Sequence, residues 1–237
     1  MAITVVQQNG GVVSGSTTLD VALASMYSTS NQAVVFVTLN SSVGTSTVDD
    51  LSGNTWSMAY RKAHTAGVTQ ECWHSTLTVT PTGGLSVQAH LDGAVVSSGQ
   101  MLVAEITDDG GGGITWTKVS TGASTGTSSQ ATPGSVTTDA PNSTAICLNA
   151  YCAANGFSLR SNPTGYSSMA SVTASTATAS MRLECYSKAV TSTTTENPAS
   201  TSVATENWVD GILILAAQSG AGGGRRPAGR MRMGVGR

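Results

Sequence analysis

The sequence is short of charge. Only 10% of its 237 residues are Asp, Glu, Lys or Arg, against roughly a quarter in ordinary globular chains. Glu, Lys and Arg are also good helix formers, and no stretch carries the 3.6-residue apolar period of an amphipathic helix. These absences exclude a helical bundle. Aromatic residues are scarce too, at 5% with two Phe, so a broad aromatic surface for stacking on sugar rings has little to be built from. No run approaches 18 consecutive apolar residues, and no helical membrane span is expected. The opening MAITVVQQNG has neither a basic n-region nor an apolar h-region, so no secretory signal is expected. The four cysteines, Cys72, Cys147, Cys152 and Cys185, form no CxxC pair. They read as buried, reduced strand residues of a protein made in a reducing cytosol.

What the chain has instead is Ser, Thr, Val and Gly, with 27 glycines. Val and Thr pack well on a pleated surface, and Gly, Asn and Asp supply turns. Apolar runs recur every ten residues or so: ITVVQ, TTLDVAL, AVVFVTL, VTQECWHSTLTVT, LSVQAHL, MLVAEIT, STAICLNAYC, ASMRLECYSKAV and ENWVDGILILAAQ. LSVQAHL places Leu85, Val87, Ala89 and Leu91 on one face, a period of two. QNGG, LSGN, PTGG, LDG, DDGGGG, TPGS and SNPTG punctuate these runs as turns. Nine or ten short strands at this spacing predict an all-β chain folded as a single antiparallel β-sandwich or closed barrel. The run Gly211 to Ala217, apolar on both faces, is expected to be an interior strand. Two polar, low-complexity segments, 121–134 and 167–178, are expected to be surface loops or weak edge strands.

Charge is segregated along the chain. Of the 11 Lys and Arg, five lie in the last 18 residues, GAGGGRRPAGRMRMGVGR. All 13 acids precede them, so the body carries 6 − 13 = −7 and the tail +5. The sequence therefore divides into a β-sandwich over 1–218 and a Gly/Arg-rich arm over 219–237. Segregation of this kind marks an interaction tail. Arg225, Arg226, Arg230, Arg232 and Arg237 offer planar forks for carboxylates or phosphates, and Met231 and Met233 offer adaptable apolar contacts. RMRMG suits an extended strand with charges on one side and thioethers on the other. An acidic body argues against direct nucleic-acid binding, which draws on a basic face. The other reading of the arm is a disordered solubilising tail.

Motifs that carry chemistry are few. GASTG at 122–126 matches the G-x-S-x-G elbow around Ser124, but no helix pattern follows and no His occurs after His90. His64, His74 and His90 fall on different predicted strands or turns, without metal-ligand spacing. His74 and His90 are expected on adjacent strands, where Glu71 or Asp92 could join them. Asp108 and Asp109 in DDGGGG lack the further oxygen ligands of a calcium loop. Glu105 is the one acid inside a strongly apolar strand, expected at solvent or a subunit interface, and no partner acid is evident for glycosidase work. Trp56, Trp73 and Trp116 read as packing residues, with a small sugar-binding platform as the alternative. No catalytic residue, metal or cofactor is expected.

The order of segments carries a resemblance. VDDLSGNTWSMAYRKA (48–63), VTQECWHS (68–75), LSVQAHLDGAVVSSGQMLVAEITD (85–108), TPGSVTTDAPNSTAICLNAYCA (132–153) and ENWVDGILILAAQ (206–218) follow one another. Together they resemble a jelly-roll-type β-sandwich module found in virion proteins of tailed bacteriophages and in some bacterial surface proteins. The likeness spans about residues 35 to 218 and does not include the arm. It implies a jelly-roll-like scaffold in a virion and carries over no catalytic residue. The expected function is non-enzymatic: a capsid decoration (cement) or minor capsid protein, homo-oligomeric, whose arm anchors it to copies of itself, the major capsid protein or other virion proteins. A tail-fibre or baseplate module that binds host glycans is the alternative, and a polysaccharide hydrolase is a third class. The expected location is the virion, after synthesis in the host cytoplasm, with no membrane partner.

Overall fold

The computed structural model describes residues 3–13, 15–25, 28–41, 44–79, 86–92, 98–108, 114–138, 144–154, 160–175 and 180–219. Among these the secondary structure is all β, as the composition predicts, in 15 strands. In chain order they are β1 (Ile3–Val13), β2 (Thr18–Ala22), β3 (Gln32–Leu39), β4 (Thr45–Asp49), β5 (Ser57–His64), β6 (Val68–Thr76), β7 (Ser86–Leu91) and β8 (Gly99–Asp108). Then follow β9 (Ile114–Ala131), β10 (Val136–Thr137), β11 (Thr144–Ala154), β12 (Ser167–Ser175), β13 (Ser180–Val190), β14 (Thr195–Glu196) and β15 (Ser200–Ser219).

Two five-stranded antiparallel sheets form the sandwich, β1-β8-β3-β6-β5 and β12-β13-β11-β15-β9. Val34, Phe36, Cys72, Leu102, Ala104 and Ile106 of the first meet Ile146, Leu148, Ala150, Leu183, Leu213 and Leu215 of the second. A three-stranded sheet, β2-β7-β4, covers the other face of the first sheet. There Leu19, Val21, Val48, Val87, Ala89 and Leu91 pack on Val35, Val37, Met101 and Val103. The first five-stranded sheet is thus a middle layer, which is why AVVFVTL is apolar at every position but Thr38: all eight residues of β3 are buried. In β7, with one face outward, burial alternates residue by residue. The pair β10-β14 and the segment around Tyr166 cap part of the outer face of the second large sheet over Ile212, Ile214 and Tyr186.

The run 211–217 lies inside the second sheet between β11 and β9, buried throughout, as expected. Of the two readings of the low-complexity segments, edge strands hold: 121–131 lies in β9 and 167–175 forms β12, the two edges of that sheet, while 176–178 lie outside the described residues. At an edge the ladder bonds are made on one side, so Ser, Thr and Gly suffice where an interior strand needs apolar side chains.

The edges are closed in a consistent way. β1, β4, β5, β9 and β12, five of the six edge strands of the three larger sheets, each carry an extra residue opposite the neighbouring strand. Such bulges twist an edge away from further pairing. The sixth, β2, is capped by side chains. Ser16 Oγ accepts from Thr18 N and donates to Thr18 O, and Asn9 Nδ2 donates to Ala22 O at 2.6 Å.

Candidate functional site

The residues singled out in the sequence take scaffold positions wherever they are described. Asp50 and Asn54 form the turn of VDDLSGNTW. Asp50 Oδ1 accepts from Ser52 N at 3.0 Å and Asn54 N at 3.4 Å, and Oδ2 accepts from Asn54 Nδ2 at 2.6 Å. Asn54 Oδ1 in turn accepts from Thr78 N at 2.8 Å and Val79 N at 3.1 Å, tying the turn to the chain beyond β6. Gly53, at φ 89°, supplies the left-handed step that closes it.

Glu105 does not face solvent. It is 1% exposed, and its carboxylate accepts from Gln7 Nε2 at 2.7 Å, Ser28 N at 2.9 Å and Asn31 Nδ2 at 2.5 Å. The acid inside an apolar strand is therefore an anchor for the segment before β3. Glu71 does the same between layers, accepting from Thr45 N at 2.8 Å, Arg61 Nε at 2.6 Å and Trp73 Nε1 at 2.9 Å.

The histidines do not converge. His74 lies on β6 in the middle sheet and His90 on β7 in the three-stranded sheet, so the expected adjacency is wrong. Each strand packs its own apolar face into the shared core, and the two run in different layers. His90 Nε2 sits 2.7 Å from Asp49 Oδ2, an exposed pair. His64 Nε2 lies 3.5 Å from Thr127 Oγ1 and its Nδ1 accepts from Ala66 N. Among the described residues, no group of three or more His, Cys, Asp or Glu is placed to hold a metal ion.

Ser124 lies in the middle of β9, paired with Asp210, not on a strand-to-helix turn. The glycines of GASTG have a packing reason. A Cβ on Gly126 would stand 2.6 Å from the Trp208 ring, and one on Gly122 would stand 2.7 Å from Val136 Cγ2. Trp73 is a core residue with Trp56 against it, while Trp116 packs in the other core and donates to Ser30 O at 2.7 Å. The three tryptophans do not share one platform. Of DDGGGG, Asp108 is buried at the end of β8, and 109–113 lie outside the described residues.

The outer side of the second sheet holds an arrangement that no local pattern in the sequence announces. Three buried glutamates each take a cation and a tyrosine hydroxyl. Glu206 Oε2 accepts from Arg160 Nη2 at 2.9 Å and Tyr151 OH at 2.5 Å, with the Arg160 guanidinium 3.9 Å above the Tyr151 ring. Glu196 accepts from Lys188 Nζ at 2.9 Å through both oxygens, from Thr194 Oγ1 at 2.9 Å and from Tyr166 OH at 3.2 Å. Glu184 pairs with Arg182 and accepts from Tyr186 OH at 2.7 Å. Burial pushes all three tyrosines far above their usual range, so their hydroxyls stay protonated and donate. Burial also pushes Cys147 and Cys152 up to about 12, which keeps them as unreactive thiols. Each of the three glutamates thus holds a cation and a tyrosine hydroxyl in place.

A cleft of about 390 Å³ opens where β1 parts from the second sheet. Ile3, Val5 and Ile146 give it apolar walls, and Ser167, Ser187 and Lys188 edge it. The arm residues Arg225, Arg226, Arg230, Met231, Arg232, Met233 and Arg237 lie outside the described residues. No family model, no curated protein and no solved structure matches the chain.

Proposed function

We propose that the chain is a non-enzymatic structural protein of a tailed-phage virion, a capsid decoration or minor capsid protein anchored to neighbouring subunits by the arm at 219–237. The observation that carries this reading is the use made of the segments that bear the resemblance. Asp50 and Asn54 of the first clasp a turn to the chain beyond β6. Glu105 of the third anchors a loop, and Trp208 of the last closes over Gly126. Chemistry-bearing residue types are spent on rigidity, which is what a lattice component needs.

Two further features support the same reading. Edges that are bulged or capped direct copies to meet through faces, ends and arms instead of by strand pairing. An arm of charge +5 on a body of charge −7 suits many weak contacts in a lattice, where linkage multiplies their strength. The partners on this reading are copies of the chain and other capsid proteins.

Quantitative mass spectrometry of purified particles of the phage that encodes the chain tests the proposal. The chain should be present in many copies per particle, and a version ending at Gln218 should be depleted. Absence from particles, or turnover of a polysaccharide by the purified chain, overturns it. A monomeric mass both free and on the particle removes the homo-oligomer.

A further inference from the structure

The cleft beside β1 lies at the same end of the sandwich as the last residues of β15. Ile146, in its wall, pairs with Leu215 on one side and with Ala189 on the other. Ser219 is four residues further along β15, and the cleft edge at Ser187–Ala189 is two strands away. With about 4.8 Å between strands and about 3.4 Å per residue, Ser219 stands roughly 17 Å from the cleft.

The sequence beyond Ser219 matches that gap. Met231 follows Ser219 by 231 − 219 = 12 residues, in a segment rich in glycine. A flexible linker of that length has a root-mean-square span of about 19 Å. Linkers whose span matches the separation give the highest effective concentration, in the millimolar range. In an extended RMRMG segment Met231 and Met233 project to one side, about 7 Å apart, while Arg230 and Arg232 project to the other. Thioethers fill irregular apolar gaps readily, and the cleft offers Ile3, Val5 and Ile146. The cation on its edge, Lys188, is neutralised by Glu196 at 2.9 Å and presents no net charge to the arginines.

We infer that this cleft is the seat of the chain's own arm, with Met231 and Met233 inserted against Ile3, Val5 and Ile146 and the arginines turned outward. The contact is intramolecular in the free protein. It stands whether or not the chain belongs to a virion. In a lattice the same contact made to a neighbour's cleft supplies the anchoring proposed above.

The test uses the full chain with methionine methyl groups labelled with carbon-13. All four native cysteines are buried, so a nitroxide attached through Thr164→Cys, beside the cleft, labels one site. The Met231 and Met233 signals should be broadened to the same extent at every dilution, and Thr4→Trp, which fills the cleft mouth, should restore them. Two results overturn the inference. One is sharp, random-coil methionine signals that Thr4→Trp does not change. The other is broadening only between differently labelled chains in a mixture, which assigns the cleft to a second copy's arm. Presence or absence of the chain in particles, decided separately, bears on the virion proposal alone.

Discussion

Arg160→Met tests whether the buried ion pairs hold the fold. The Arg160 side chain is fully buried and that of Glu206 is 4% exposed. Arg160 also donates to Ser200 O at 3.0 Å and covers the Tyr151 ring. Methionine keeps much of the length and apolar contact but leaves the Glu206 carboxylate, among the described residues, with the Tyr151 hydroxyl alone. Removing one partner of a buried pair costs about 3–5 kcal/mol, because the remaining charge is uncompensated. That is a large share of the roughly 5–15 kcal/mol that stabilises a typical domain. At about 2–4 °C per kcal/mol for a chain of this size, the melting temperature should fall by roughly 6–20 °C. Urea unfolding followed by tryptophan fluorescence, with calorimetry alongside, reads both quantities. Adding Glu206→Gln to Arg160→Met should recover part of the loss, since the unpaired charge is then gone while an oxygen remains for Tyr151. A loss under about 1 kcal/mol, the value of an exposed pair, would refute the argument that this clasp is dry and structural.

Other outcomes follow from the same geometry. Burial holds the Asp210 carboxyl well above its usual range, against the opposing hydrogen bond from Asn149 and the charge of Arg160. The folded state therefore keeps a proton that the unfolded chain releases. This contribution is fully present below the ordinary carboxylate pKa and is lost as pH rises through the folded value. Asp210→Asn, which can still accept from Asn149 Nδ2, should gain on wild type progressively from pH 4 to pH 8 in urea titrations; a constant difference would contradict this. Gly126→Ala drives a methyl into the Trp208 ring and should cost about 1–3 kcal/mol, whereas Ser124→Ala should stay within about 0.5 kcal/mol. The reverse order in thermal melts would contradict the packing of Gly126 against Trp208. A thiol reagent should modify none of Cys72, Cys147, Cys152 and Cys185 in the folded chain and all four in urea, as counted by mass spectrometry.

Much of the architecture was legible because its causes are local. Alternation in SVQAHL gives one buried face, and the run AVVFVTL, apolar but for Thr38, gives two, although the sequence alone did not reveal that a third sheet covers the second face. β9 and β12 were harder to read. Their Ser, Thr and Gly residues satisfy an edge without any apolar period, so composition resembles that of a loop. The glutamate clasps escaped for a different reason: Arg160 and Glu206 are 46 residues apart, and nothing near either residue signals that the other will meet it. Glu105 looked like an exposed or interfacial acid because its three donors come from Gln7, Ser28 and Asn31, far away in the chain. His74 and His90 looked like neighbours because sequence order suggested consecutive strands in one sheet. The motifs of the resemblance were legible as turns and strands, and their residues hold turns and strands in place.

The most direct test of the central claim is binding of the full chain, and of a version ending at Gln218, to assembled phage heads over a range of salt concentrations. A structural protein held by its arginine arm decorates heads only at full length, and its occupancy falls as salt rises. Failure of both versions to bind heads at low salt would contradict the account.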